Sequence, residues 1–230
     1  MDTLTSPPVA DVLTRLFAQA QIADGPLHAQ WSEALEGSSD EVADLLAAEA
    51  ADYRGVYRDF AENFLNVSAE FGRFLYVCAR ARQAGRIVEF GTSFGVSTIY
   101  LAAALRDGGG GHLISTELEP AKAARAQQNL TDAGLDHLVD IRVGDALETL
   151  RDGVEGPVDL VLLDGAFSLY LPVLELVESQ LAPGALVIAE NAIDDDGDYL
   201  TYVRNPDNGY RSLPLPFEPH RGNELSVRTG

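Results

Sequence analysis

Apolar positions in the first 85 residues recur at the three- and four-residue spacing of helices, and from Arg86 onward they condense into short continuous runs. Pro7 and Pro8 open an amphipathic stretch with Val9, Val12, Leu13, Leu16 and Phe17 on one face, and Asp24-Gly25-Pro26 is expected to end it. A second helix is expected from Ser38-Ser39-Asp40-Glu41 to about Asn63, its early turns marked by Val42, Leu45, Leu46 and Glu49 and its later ones by Tyr53, Val56, Tyr57 and Phe60. A third follows Asn66-Val67-Ser68, with Ser68 able to cap the first turn and Glu70 inside it, where an acid suits the helix dipole.

After Arg86 strand-like and helix-like runs alternate: Ile87–Phe90 then Val96–Arg106, Leu113–Glu117 then Ala121–Ala133, Val139–Val143 then Ala146–Leu150, Leu160–Leu163 then Tyr170–Leu181, and Ala185–Glu190. Nearly all-apolar strands separated by helices predict a parallel sheet covered on both faces. Gly108–Gly111 and Ala182-Pro183-Gly184 read as connectors. Past a short helix at Asp198–Arg204, Tyr210–Leu215 and Glu224–Arg228 are separated only by a loop, which makes them an antiparallel pair. The expectation is an α/β, doubly wound sheet over 86–230, mostly parallel with an antiparallel C-terminal strand pair, preceded by a helical N-terminal extension over 1–85 that packs on the core or on a second subunit.

A chain of 230 residues, 46% hydrophobic, suits one compact unit with a full core. The formal charge of -20 disfavours a phosphate-backbone partner, so no nucleic acid is expected. Cys78 has no internal cysteine to pair with, the first residues carry no signal-peptide pattern, and no apolar run is long enough to cross a membrane. The cytoplasm is the expected compartment and no membrane partner is expected. An aromatic stripe (Tyr53, Tyr57, Phe60, Phe64) exceeds what one surface helix must bury and raises the expectation of a homodimer, with packing on the chain's own sheet as the equal alternative.

Polar groups sit where the strands of such a sheet end. Gly91 and Gly95 bracket a tight strand-to-helix turn that puts backbone N–H groups and a helix N-terminus at the carboxyl edge. The turn lacks the Gly-x-Gly-x-x-Gly of dinucleotide binders, which ranks a nicotinamide enzyme last. Glu89 ends the first strand. Glu117 ends the second, where an acid accepts from ribose hydroxyls. Asp145 follows the third strand, Asp164 the fourth and Glu190-Asn191 the fifth. If the last two strands are neighbours, two carboxylates and an amide oxygen converge, a hard-cation donor set of the Mg²⁺ or Ca²⁺ type; a capped helix at Asp164 and a solvated acidic loop at Glu190 are the plainer alternative.

These segments together resemble class I S-adenosylmethionine-dependent methyltransferases, and among them the metal-dependent O-methyltransferases of the catechol and caffeoyl-CoA type. The resemblance runs from about Asn66 to the C-terminus. It rests on Val88-Glu89-Phe90-Gly91-Thr92-Ser93-Phe94-Gly95-Val96-Ser97, Ser115-Thr116-Glu117-Leu118-Glu119-Pro120, Gly144-Asp145-Ala146, Asp159-Leu160-Val161-Leu162-Leu163-Asp164 and Val187-Ile188-Ala189-Glu190-Asn191. It implies a Rossmann-like fold, S-adenosylmethionine as cofactor, a divalent cation, Mg²⁺ first, and a small hydroxylated acceptor, catechol-like or phenolic.

By the same resemblance Asn66, Val67 and Ser68 border the methionine end of the cofactor, Glu89, Gly91, Thr92, Ser93 and Gly95 belong to its pocket, and Ser97 binds its carboxylate. Glu117, beside Leu118, holds the ribose diol, Asp145 and Ala146 contact adenine, and Asp164, a catalytic and cofactor-side residue, shares the metal with Glu190 and Asn191. Glu224 corresponds to a substrate-side acid. Two positions depart from the family. Glu190 stands where aspartate is usual, and Phe167, on the substrate side, stands where the family carries its basic lysine. His220, in the loop before the last strand, is then the candidate base. A methyltransferase of modified tRNA bases and a cofactor-binding protein without transfer are the alternative functions.

Overall fold

The computed structural model describes residues 2–37, 39–217 and 222–230, without the side chains of 28–43 and 45. Three helices lead: α1 (Pro7–Gly37), α2 (Ser39–Asp59) and α3 (Ala69–Arg82). Then come β1 (Arg86–Phe90), α4 (Val96–Asp107), β2 (His112–Glu117), α5 (Pro120–Ala133), β3 (Val139–Val143), α6 (Ala146–Thr149), β4 (Val158–Leu163), α7 (Tyr170–Glu178), β5 (Leu181–Ala189), α8 (Asp198–Arg204), β6 (Tyr210–Pro214) and β7 (Glu224–Arg228).

The strands form one seven-stranded sheet in the order β3-β2-β1-β4-β5-β7-β6. β1 to β5 are mutually parallel, and β7 pairs antiparallel with both β5 and β6. The antiparallel C-terminal pair is therefore present, and β7 is the one reversed strand among those described. Chain order reverses between β1 and β4, the switch point where open α/β sheets leave a crevice at their carboxyl ends.

Period-two alternation divides the strand side chains between two cores. Ile87, Leu113, Leu160, Leu162 and Ile188 pack with α3, α4 and the front helix α1, which contributes Val9, Val12, Leu13 and Leu16. Val88, Phe90, Ile114, Val161, Leu163, Val187 and Ala189 pack on the other face with residues of α7 and α8. Gly72 lies so close to the ring of Tyr100 that a Cβ there would come within 2.3 Å of it, which brings α3 tight against α4. Ser68 caps α3 by accepting from Phe71 N–H.

Three local expectations need correction. Asp24-Gly25-Pro26 does not end the first helix; α1 runs through it, with Pro26 inside. Proline removes one rung, and Asp24 is engaged in tertiary bonds that hold this turn in place (below). The second helix ends at Asp59 rather than near Asn63, and it is interrupted at Asp52, whose backbone is non-helical and whose carboxylate accepts from Gly55 N–H at 2.9 Å. Asp52 thus caps a separate last segment. Ala182-Pro183-Gly184 lies inside β5 rather than before it, where the β4–β5 register shifts between Val158 and Leu160.

Candidate active site

A cleft opens at the switch point. The turn after β1 forms its floor. Gly91 has φ +101°, and a Cβ there would come within 2.1 Å of the Asp164 carbonyl oxygen. Only glycine lets this turn lie against the end of β4. Gly95, at φ +87°, caps α4 in the left-handed conformation, and its N–H closes the turn onto Thr92 O at 2.8 Å. Val96 and Ser97, in the first turn of α4, reach the cleft wall, so orphan N–H groups of a helix N-terminus face the opening.

Glu117 binds the turn from the side. Its Oε2 accepts from Ser93 N–H at 2.7 Å and its Oε1 from Glu119 N–H at 2.9 Å. Burial raises its pKa against those bonds and against Lys122. Lys122, 4% exposed, lies over the Phe94 ring at 5.6 Å, and burial lowers its pKa against the pull of Glu117 and Asp24.

The rim at the β3 end is Gly144-Asp145-Ala146. Asp145 caps α6 through Leu147 N–H at 2.9 Å. It also accepts from Tyr53 OH at 2.5 Å, from Arg54 Nε at 3.1 Å and from Arg54 Nη2. Burial pushes its carboxyl up, but the Tyr53, Arg54 and Leu147 bonds outweigh this and hold it below the ordinary range. The last segment of α2 is thereby fastened over the cleft.

At the opposite end, β4 and β5 are neighbours with Leu163 in register with Ala189, so the following residues, Asp164 and Glu190, stand side by side. Asp164 N–H donates to Phe90 O and Glu190 N–H to Leu163 O, both at 2.9 Å. Tyr170 OH donates to Glu190 O at 2.5 Å. Asn191 takes a left-handed φ of +57° and donates its N–H to Asn223 Oδ1 at 3.0 Å. Among the described residues no three His, Cys, Asp or Glu side chains are grouped as a metal set; of the three expected metal residues Asp164 lines the cleft, while Glu190 and Asn191 are not in its wall.

Of the expected cofactor residues, Gly91, Thr92, Ser93, Ser97, Glu117, Leu118, Asp145, Ala146 and Asp164 line this one cleft. Val67, Ser68, Glu89 and Gly95 are not in its wall. Val67 is fully buried in the core and Ser68 is spent on its cap. Glu89 lies beneath the floor, fully buried, its Oε2 accepting from Thr98 at 2.6 Å and Ser115 at 2.5 Å. Burial pushes its carboxyl up to about 7 against bonds from Ser115, Thr98 and Ser97.

Of the expected substrate-side residues, Phe167 packs edge-on against Tyr170, with ring centres 6.1 Å apart, and is not in the wall. Glu224, 1% exposed, is held by Arg204 through Nη2 at 2.9 Å and Nε at 3.2 Å and by Ser212 at 2.5 Å, so it too is outside the wall. His220 lies outside the described residues.

Asn66, expected at the methionine end of the cofactor, is in the wall, together with groups that sequence reasoning did not assign to it. Leu65 enters beside Asn66 from a loop fixed by Asp24, whose carboxylate accepts from Phe64 N–H and Leu65 N–H, each at 2.8 Å. Leu65 has φ +48°, a strained value for a branched residue that such bonds can hold. Tyr53 and Tyr57 are also in the wall. Their spacing in the aromatic stripe was the available signal. The stripe serves the chain's own cleft there, and Phe64 packs on Phe94 with ring centres 4.2 Å apart.

Residues 88–192 match the methyltransferase-domain family. The chain is 39% identical over 134 residues to a catechol O-methyltransferase of Niastella koreensis, covering 57% of this chain and 60% of that one. It is 37% identical over 131 residues to a catechol O-methyltransferase of Mycobacterium tuberculosis, covering 57% and 59%. Over these residues the chain is similar to catechol O-methyltransferases. The alignments span about 60% of the length of those two relatives. Among solved structures, the O-methyltransferase TomG of Streptomyces achromogenes, involved in tomaymycin synthesis and solved with S-adenosylmethionine, is 28% identical over 87% of this chain and 95% of that one, with a TM-score of 0.65.

Proposed function

We propose that this chain is an O-methyltransferase that transfers a methyl group from S-adenosylmethionine to one hydroxyl of a small vicinal diphenol, assisted by a divalent cation, Mg²⁺ first. The observation that carries the reading is that the Gly91 turn, Ser97, Glu117, Asp145 and Asp164 line one cleft, with Glu190 following the strand next to Asp164's.

The residues fit the cofactor on physical grounds. The turn is a cradle that a Cβ at Gly91 would fill. The α4 N-terminus with Ser97 suits a carboxylate. Each Glu117 oxygen, already accepting one backbone N–H, keeps a lone pair for a ribose hydroxyl. Asp145 and Ala146 form the rim on which an adenine would rest. S-adenosylmethionine, when bound, supplies an electrophilic methyl on a sulfonium.

Asp164, Glu190 and Asn191 suit a hard cation, whose charge would favour the ionised form of a neighbouring hydroxyl. Glutamate at 190 reaches further than the family's aspartate and still brings a carboxylate beside Asp164. The chain's own contribution is positioning: α2 closes the cleft from Asp145 to Gly165, excludes water and holds the acceptor in line with the methyl group. The proposal extends to a homodimer working in the cytoplasm, which light scattering at micromolar concentration and cell fractionation test.

The experiment is incubation with S-adenosylmethionine and a panel of diphenols, read by mass spectrometry. A product one methylene heavier than its diphenol supports the reading. Transfer to tRNA and to no diphenol contradicts it.

A further inference from the structure

Tyr53 and Tyr57 lie one helical turn apart on the last segment of α2 and reach the two ends of the cleft. The Tyr53 proton is spent at the Asp145 rim in a short bond of 2.5 Å. Tyr57 reaches the other end, where its hydroxyl lies 3.2 Å from Gly165 O, the residue after Asp164, and 3.1 Å from Glu49 Oε2. A phenol has one proton, so it cannot satisfy both acceptors at once, and both distances are at the long end of the O–H···O range. Glu49, 2% exposed, is itself fixed because its Oε1 accepts from Ser168 N–H at 2.8 Å. The arrangement is an oriented phenol with a weakly shared proton and acceptor lone pairs, set in the wall beside Asp164 and supported from behind by a buried carboxylate.

We infer that Tyr57 is the specificity-determining residue that takes the acceptor's hydroxyl at the Asp164 end of the cleft, with Glu49 as its positioning partner. Tyr57 donates to Glu49 and accepts from the incoming hydroxyl, which selects the one of two adjacent hydroxyls that is presented to the methyl group. Burial and the nearby Glu49, Asp164 and Glu190 carboxylates raise the phenol's pKa well above its ordinary value, so it stays protonated and keeps this donor–acceptor sense. The inference rests on the methyl-transfer reading above.

The test compares the whole wild-type chain with Tyr57→Phe and Glu49→Gln. It reads calorimetric affinity for S-adenosylhomocysteine, calorimetric affinity of that complex for a diphenol, kcat/KM, and the ratio of the two mono-methylated isomers. Tyr57→Phe is expected to leave S-adenosylhomocysteine affinity within about twofold, to weaken diphenol binding and lower kcat/KM roughly five- to tenfold, and to move the isomer ratio toward parity. Glu49→Gln keeps an acceptor oxygen and should shift the same readouts less. If Tyr57→Phe binds S-adenosylhomocysteine normally and leaves diphenol affinity and isomer ratio unchanged, the inference is overturned while methyl transfer stands. If Tyr57→Phe loses S-adenosylhomocysteine affinity instead, Tyr57 is a structural residue and the inference is equally overturned. A wild type that binds S-adenosylhomocysteine but methylates no diphenol removes the methyl-transfer reading, and the inference with it.

Discussion

The backbone N–H of Ser93 donates to Oε2 of Glu117 at 2.7 Å, which locks the glycine turn after β1 to the acid after β2. Ser93 sits at φ +46°, so the bond also holds a conformation that serine adopts rarely. Glu117→Gln replaces one acceptor oxygen with an amide that faces an N–H. Calorimetry is expected to show S-adenosylhomocysteine affinity falling on the order of tenfold.

Gly91 and Gly109 share φ +101° in different surroundings. A Cβ at Gly91 meets the Asp164 carbonyl, whereas nothing lies within 4 Å at Gly109. Gly109→Ala should cost about 1 kcal/mol of conformational strain. Gly91→Ala should cost on the order of 3–5 kcal/mol, because backbone must move. Denaturant midpoints of the two variants measure the difference.

Glu89 carries a pH dependence. Its folded pKa, raised to about 7 by burial, lies above its ordinary value, so the folded state binds the proton more tightly than the unfolded chain. The sign for such an acid is stability present at low pH and lost as pH rises through the folded pKa. Up to roughly 3 kcal/mol is lost between about pH 5 and about pH 8. Glu89→Gln, neutral throughout, should show a smaller decline over that window by this amount, measured by urea unfolding at each pH.

Asp24 ties α1 to the loop that carries Leu65 and Asn66. Asp24→Ala strands the Phe64 and Leu65 N–H groups and frees a backbone held at positive φ. The expected loss is roughly 2–4 kcal/mol of stability, with weaker S-adenosylhomocysteine binding, read by thermal unfolding with and without that ligand.

The sheet was legible because its central strands are buried on both faces and read as unbroken apolar runs, as in Leu160–Leu163, and because no helix fits between Tyr210 and Arg228. The strand-end groups at Gly91, Glu117, Asp145, Asp164 and Glu190 were legible for the same reason: a parallel sheet brings its carboxyl ends to one edge. Local breaker rules failed where tertiary contacts outweighed them. Pro26 stays inside α1 beside the buried Asp24, and Pro183 is carried in β5. The upper wall was not legible. Tyr53, Tyr57 and Lys122 reach the cleft through helix docking, and the Asp52 break that starts the last segment of α2 has no distinctive residue pattern. Glu89 and Glu224 are acids at strand ends like the others, yet strand parity and a local partner turn both away from the opening.

Metal-assisted methyl transfer at Asp164, Glu190 and Asn191 is the proposed reaction. Its most direct test is transfer of a labelled methyl group from S-adenosylmethionine to a panel of catechols, first with Mg²⁺ and then with EDTA. Labelled product is expected with Mg²⁺, with its loss in EDTA and its return when Mg²⁺ is restored. Undiminished turnover in EDTA would contradict it and leave the three residues with structural or substrate-binding roles.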